Sequence, residues 1–422
     1  MAWAERLRPV RMERVAVVAP VETLPEVLAR VADAGTVELD EAATPEAGVR
    51  EVGQAAVVRE SVAALAGWAP ADAVAGLAER LGGAGGTLVP LPRPRGVDTP
   101  TLLRSAGVRR SLTPLVETYG TVPYADVDPT VVVAATYVLM FGMMFGDVGH
   151  GAMLLLAAAA LWAGRPRRLA RWRRAATLVA GAGVTSTLFG LLYGECFGPS
   201  GLVSVLWLSP LDHPVPLLLA ALGVGAVLLA GAYALGTVNR WREGGLPVVL
   251  YAPSGIAGSM LFLGLGLVAG GLGLHRAWLL AAGAVVAAAG LTLAFTGFFV
   301  EAGGGGSGVA QASVELFDVV IRLGSNLVSF ARLAAFGLTH AALGAVVWDA
   351  AAGLWRQGGA IAWAAAVVFV VGNALAFGLE ALVAGVQALR LEYYELFSRV
   401  FLGQGRPFRP WHVPISSEGD LP

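Results

Sequence analysis

Lysine is missing from this sequence altogether, and cysteine occurs once, as Cys196. Without lysine no G-x-x-x-x-G-K-[ST] phosphate loop exists, so ATP hydrolysis through such a loop is excluded. A single thiol excludes an intramolecular disulfide and any zinc centre made of several thiolates. Charge is scarce as well: 14% of the 422 residues are charged, against roughly 25% in ordinary soluble proteins. The 29 basic residues, all arginine, nearly cancel the 30 acids, which removes disordered and nucleic-acid-binding classes. What remains is apolar, with 56% hydrophobic residues and a mean hydropathy of +0.68. This is the composition of a membrane protein.

The charges are unevenly spread. Residues 1–128 hold 17 acids and 13 arginines, whereas residues 129–422 hold 13 acids and 16 arginines over more than twice the length. We therefore expect a polar domain over 1–128 and an intramembrane domain over 129–422. Arginines break every short apolar run of MAWAERLRPVRMERVAVVAP, so no signal peptide is evident and the first domain is expected to be cytoplasmic. Within it, Arg14–Pro20 and Thr36–Asp40 read as strands around a helix at Glu22–Ala34, a small α/β unit. Alanine-rich residues 50–83 read as two short helices broken near Pro70. A Gly/Pro-rich loop, Gly82–Pro100, then precedes a last helix at about Pro100–Tyr119.

From Thr130 onward seven hydrophobic runs can be counted, at about 130–163, 174–197, 214–239, 248–272, 277–300, 313–355 and 361–402. Taking the first as one helix would put Arg165, Arg167, Arg168, Arg171, Arg173 and Arg174 outside, against the positive-inside rule. A hairpin of two short helices turning at Asp147–His150 puts them inside, together with Arg240, Arg242, Arg406 and Arg409. The fold class is thus mainly α: a polytopic helical membrane protein of about eight spans, both ends cytoplasmic, with a small N-terminal α/β domain. The last two runs are too long. About 40 helical residues reach roughly 60 Å, twice the hydrocarbon thickness, so these helices must be strongly tilted, kinked at glycine, or project from the bilayer.

Those two runs carry the informative polar groups. In the seventh, Asp318, Ser325, Ser329, Arg332 and Thr339 fall within about one quadrant at 100° per residue, with His340 at its edge. A mid-bilayer arginine costs at least ~2.5–3.5 kcal/mol and defaults to a functional reading. The bland alternative is a helix–helix ion pair with Asp318 or Glu380. In the eighth, Asn373, Glu380, Gln387 and Tyr394 recur every seven residues, flanked by Arg390. Arginine never loses its proton at accessible pH, so it is a poor proton carrier but a good fixed charge; Glu380 and His340 are the better relay groups. FGMMFGDVGHG (Phe141–Gly151) reads as close helix packing and a tight turn, with Asp147 and His150 capping or hydrating it. Gly303–Gly306 reads as a flexible linker, and Trp162, Trp241 and Trp278 as interface anchors. Cys196 reads as a small buried side chain.

Four stretches together resemble a known family: Tyr124–Gly151 (YADVDPT to FGMMFGDVGHG), Phe189–Gly198 (FGLLYGECFG), Ser329–Leu343 (SFARLAAFGLTHAAL) and Leu379–Pro410 (LEALVAGVQALRLEYYELFSRVFLGQGRPFRP). The chain is similar to the a/I subunit of V-type and A-type rotary ATPases, the membrane stator. The resemblance implies two long tilted helices lying against a rotating proteolipid c-ring, with peripheral- and central-stalk subunits as further partners. Arg332 then matches the family's essential arginine and Arg390 its second. Glu380 and His340 would line aqueous half-channels. The resulting reading is a stator subunit moving H⁺ or Na⁺, with no cofactor, no metal and no enzymatic site of its own. The alternatives are a stand-alone ion or solute transporter on the same scaffold, or a scaffold that conducts nothing. Two departures stand out. Gln387 occupies a position where many members have histidine, and Glu315 competes with Asp318 as the upstream channel acid, the helical face favouring Asp318. About 128 cytoplasmic residues leave room for one lobe and a stub of the usual stator arm, a truncated short form.

Overall fold

The computed structural model describes residues 8–40, 48–93, 97–104, 112–113, 115–116, 118, 120–164, 172–359, 361–401 and 405–412. It divides into two compact units, one of Met1–Arg104, Gly120–Asp128 and Gly403–Pro422, the other of Ser105–Tyr119 and Pro129–Leu402.

In the first unit β1 (Met12–Pro20) turns Val15, Val17 and Ala19 to one buried face, as the two-residue period of a strand demands. Helix α1 (Leu24–Ala34) buries Leu24, Val27, Leu28 and Val31, an i, i+3, i+4, i+7 stripe. It stops at Gly35, whose φ of 56° is the left-handed C-cap conformation that glycine adopts freely. There follow β2 (Glu38–Leu39), α2 (Val49–Gln54), β3 (Val57–Arg59), β4 (Val62–Pro70), α3 (Ala71–Gly82) and β5 (Thr87–Pro90). The sheet order is β2-β4-β1-β5, with β3 also paired to β4, and every pairing is antiparallel.

Three expectations are corrected here. Residues 57–70 form β3 and β4 instead of helix. Alanine favours helix locally, but β4 pairs with β1 from Val62 opposite Pro20 to Pro70 opposite Met12, and burial of Ala63 and Leu65 on the core face outweighs propensity. The loop expected at Gly82–Pro100 contains β5, whose Leu88 is buried against the same core. The helix expected at Pro100–Tyr119 does not begin at Pro100, because Thr101 forms an isolated parallel bridge with Pro407; residues 105–111 lie outside the described part.

The C-terminal stretch is also drawn into this unit. Trp411 is fully buried in the core and its backbone N–H donates to the Val37 carbonyl at 2.8 Å. Glu38 holds Arg406 through an ion pair and accepts the Arg409 N–H at 2.7 Å.

The second unit is helical: α4 (Thr130–Met144), α5 (Val148–Ala163), α6 (Ala176–Tyr193), α7 (Pro214–Tyr251), α8 (Ile256–Gly273), α9 (Ala277–Glu301), α10 (Gly305–Ser329), α11 (Ala331–Gln357) and α12 (Ile361–Leu391). Among the described residues six stretches are long and apolar enough to cross a membrane. The legs α4 and α5 have 15 and 16 residues, about 23 Å each, short of a ~30 Å core. The turn between them lies at Phe145–Asp147, slightly before the expected Asp147–His150, because Asp147 is the N-cap of α5 and His150 already sits in its first turn.

Helix α7 runs through the expected 240–247 loop, carried by an Arg240–Glu243 ion pair, and breaks at Gly245 (φ 69°, ψ −154°) ahead of Pro247. Gly303 and Gly304 form a tight turn between α9 and α10, both at positive φ, where a flexible linker was expected. In the long seventh run the interruption between α10 and α11 falls at Phe330, a fully buried aromatic, and not at a glycine. The eighth run ends in a π-helical segment, Glu392–Phe397. Trp162, Trp241 and Trp278 stand more than half exposed, Trp162 and Trp278 at helix ends and Trp241 within α7, four residues before its break at Gly245.

Helices α8 and α9 approach closely through glycine, Gly283 of one facing Val268 of the other and Gly290 facing Leu261, which is how helices associate where lipid removes the hydrophobic drive. The α4–α5 hairpin packs on α6 by the same device. A Cβ on Gly190 would come within 2.5 Å of the Asp147 carbonyl carbon and 2.8 Å of its Cα. Backbone cannot yield there, so Gly190→Ala should cost about 1–3 kcal/mol of overpacking strain and lower the melting midpoint of the detergent-solubilised protein. Gly223→Ala, with nothing within 4 Å of the new methyl, should leave it unchanged; equal melting of the two variants would disprove this account of the hairpin.

Candidate functional site

Two polar clusters sit inside the second unit. The first gathers around the α4–α5 turn. Asp147 accepts the His150 N–H at 2.9 Å through Oδ1 and the Gly198 N–H at 3.0 Å through Oδ2. It is an N-cap fixed at both carboxylate oxygens. The His150 ring stacks on Phe145 with centroids 5.5 Å apart and meets the His340 ring edge-on at 5.5 Å. Phe197 and Phe377 complete the wall, 5.4 and 5.7 Å from His150. His340 contacts Glu380 through Nδ1 and Oε2, with their side chains 5% and 13% exposed. The turn motif read as capping therefore caps, and it also reaches the two long helices.

The second cluster follows from helix register. Helices α11 and α12 form an antiparallel hairpin in which Gly372 packs on Val347 and His340 meets Glu380. Continuing that register sets Arg332 level with the fully buried Ala388, between Gln387 and Arg390. At 1.5 Å per residue the eight residues from His340 to Arg332 place the clusters about 12 Å apart along the helix. Arg332 Nη1 is buried without a hydrogen-bond partner, and so is Gln387 Oε1. Neither candidate for a structural ion pair is available to Arg332: Asp318 pairs with Arg322 at 2.7 Å, and Glu380 is taken by His340.

The remaining sequence candidates are placed as follows. Asp318 is exposed on α10 in its i, i+4 pair with Arg322, and Glu315 accepts a hydrogen bond from Gln311 at 2.9 Å; neither joins a cluster. Ser325 is exposed. Ser329 lies beside Glu395. Thr339 donates back to the Ala335 carbonyl at 2.9 Å. Asn373 is buried and donates to the Phe369 carbonyl at 2.9 Å, and Tyr394 is 71% exposed. Cys196, expected to be buried, is only partly so.

Two acids went unnoticed in the sequence. Glu395 is buried close enough to Ser329, Arg332 and Arg390 for all three to act on its charge. It sits in the π-helical segment, whose wider turns bring residues five apart in sequence, such as Arg390 and Glu395, onto one face. Glu392, equally buried, accepts a hydrogen bond from Thr136 of α4 at 2.7 Å. An arginine followed by an acid five residues on is no signal under α-helical periodicity.

Comparison with known sequences points to one family. The profile of the V-type ATPase 116 kDa subunit family matches residues 58–205. A-type ATP synthase subunit I of Aeropyrum pernix is 30% identical over 379 residues, 76% of this chain and 52% of the relative. The chain is similar to this family over about three quarters of its length. The same subunit of Thermococcus kodakarensis is 27% identical over 331 residues, 74% of the chain and 48% of the relative. V-type ATP synthase subunit I 2 of Treponema pallidum is 39% identical over 97 residues, 23% of the chain and 21% of the relative. The chain spans about half the length of the two A-type ATP synthase subunits I named first.

Proposed function

We propose that this chain is the membrane stator subunit of a V/A-type rotary ATPase, moving protons or sodium ions against a proteolipid c-ring while other subunits carry the ATP chemistry. The observation that carries this reading is the placement of Arg332. Its guanidinium sits deep within a long helix run, one nitrogen buried without a partner, on a hairpin whose other helix is bare. Only 6% of the most apolar stretch of the last run is buried, against 22–33% for the other long runs. Trp363, Val367, Val370, Leu375 and Leu379 lie along that exposed side. A helix so lightly packed within its own chain suits a surface on which a partner slides.

In this reading a ring carboxylate is protonated on one side, crosses the lipid as a neutral acid, and is driven to ionise beside Arg332. Arg390 is the second fixed charge. Glu380 and His340, with Asp147 and His150 behind them, line one half-channel; Ser325, Ser329, Gln387 and Asp318 lie along the route to the other. The short legs α4 and α5 bring the spans to eight, both ends on the arginine-rich cytoplasmic side. Residues 1–128 form the cytoplasmic domain that meets the stalk subunits.

The test is purification from native membranes. A ring of small proteolipids should accompany the chain, and Glu380→Gln should retain the ring while lowering ATP-driven ion uptake into vesicles about tenfold. A wild-type preparation without proteolipids, or unchanged flux in the variant, would overturn the reading.

A further inference from the structure

The side chains of Asp147, His150 and His340 each offer a ligand atom, and the three atoms lie within 4.8 Å of one another. All three residues are buried, at 1%, 2% and 5% exposure. We infer that they form a binding site for a divalent transition-metal ion of the Zn²⁺ class, set in the wall of the proposed half-channel.

The donor set favours this ion. Two imidazoles and one carboxylate select zinc-like metals over Mg²⁺ and Ca²⁺, which take oxygen ligands. The decisive group is His150. Neither of its ring nitrogens meets hydrogen-bond geometry with any partner among the described residues. The nearby Asn373 amide donates to the Phe369 carbonyl instead. The ring keeps only a 3.9 Å contact from Nδ1 to Asp147 and the neighbourhood of Asn373; a buried imidazole so weakly held is costly, and a metal bond would remove much of that cost.

The other two ligands are already oriented. Backbone N–H groups of His150 and Gly198 fix the Asp147 carboxylate. His340 is held through Nδ1 by Glu380, which reserves its other ring nitrogen for the metal. That is the carboxylate–histidine–metal arrangement in which an acid behind the histidine orients it and strengthens its bond to zinc. The charges of Asp147 and Glu380 together balance a dication.

Geometry permits closure. Ligand atoms about 2.1 Å from one ion stand at most ~4.2 Å apart. His150 Nδ1 and Asp147 Oδ1 are already 3.9 Å apart and all three ligand atoms lie within 4.8 Å of one another, so side-chain rotations have to close the remaining gap.

Binding is read directly on the full chain, stripped with chelator and titrated with Co²⁺, whose ligand-field absorption reports a low-coordinate nitrogen and oxygen site. One equivalent should bind and be displaced by Zn²⁺. His150→Asn should weaken binding at least tenfold, and His340→Gln should do the same should the first variant fail to fold. Replacing the histidines outside the cluster, His213, His275 and His412, by glutamine should change nothing. No stoichiometric uptake by the wild type, undiminished binding in both ligand variants, or loss of binding in the triple variant would overturn the assignment.

Discussion

Arg332→Ala is expected to bring ATP-coupled ion uptake to background, at least a hundredfold below wild type, in a complex that still assembles. The permanent charge is the whole of the argument. A guanidinium holds its proton at any accessible pH, so under the proposed function a ring carboxylate arriving beside it would be driven to ionise, and a second proton could not hop through it. Arg332→Lys should fail as well, since an ammonium buried among apolar groups surrenders its proton far more readily. Stability separates this role from a structural one. The arginine costs at least ~2.5–3.5 kcal/mol to keep in mid-bilayer, and Arg332 makes no ion pair among the described residues that its loss would break. Glu395 keeps Arg390 as a counter-charge when Arg332 is lost, so Arg332→Ala should melt close to wild type. A non-conducting scaffold predicts the reverse outcome for transport: full flux in both variants. ATP-driven dye quenching in reconstituted vesicles, beside a melting curve in detergent, distinguishes the two.

The membrane unit was largely readable because its signals are long. Runs of 18 or more apolar residues leave little choice of structure, and a charge inside one stands out against them. Arg332, Glu380 and His340 were found that way. The hairpin turn was found from the arginines after Trp162, not from its own residues, so its edge was misplaced by two positions. What failed were features set by tertiary packing. Strand β4 has a helix-former's composition and becomes a strand only because β1 lies beside it. Glu395 was missed because periodicity was applied at 100° per residue through a segment that is π-helical. Binding of the 405–412 tail to Glu38 and the Val37 carbonyl depends on contacts hundreds of residues apart, which no local pattern encodes.

Glu395→Gln should cut coupled flux at least tenfold, and Glu395→Ala should in addition destabilise the protein by about 3 kcal/mol, as removal of one partner from a buried charged set does. The carboxylate lies within reach of both Arg332 and Arg390. Take it away and the two guanidiniums lose the negative charge that both attract, leaving like charges that repel. Arg390 stands at the exposed end of the pair and can swing to water, while Arg332, half-buried between Leu333 and Ala331 on α11, can relieve the repulsion only by leaving its place. Glu395 is on this argument a positioning residue: its charge neutralises Arg390 and so keeps Arg332 aimed. The double variant Glu395→Gln/Arg390→Gln removes both the acid and the neighbour it balances, so it should pump better than Glu395→Gln alone. A merely structural acid predicts the opposite ordering, because two buried deletions in one network would add. Measured as a double-mutant cycle on flux, a coupling near zero, or a double variant worse than either single one, would sink the assignment.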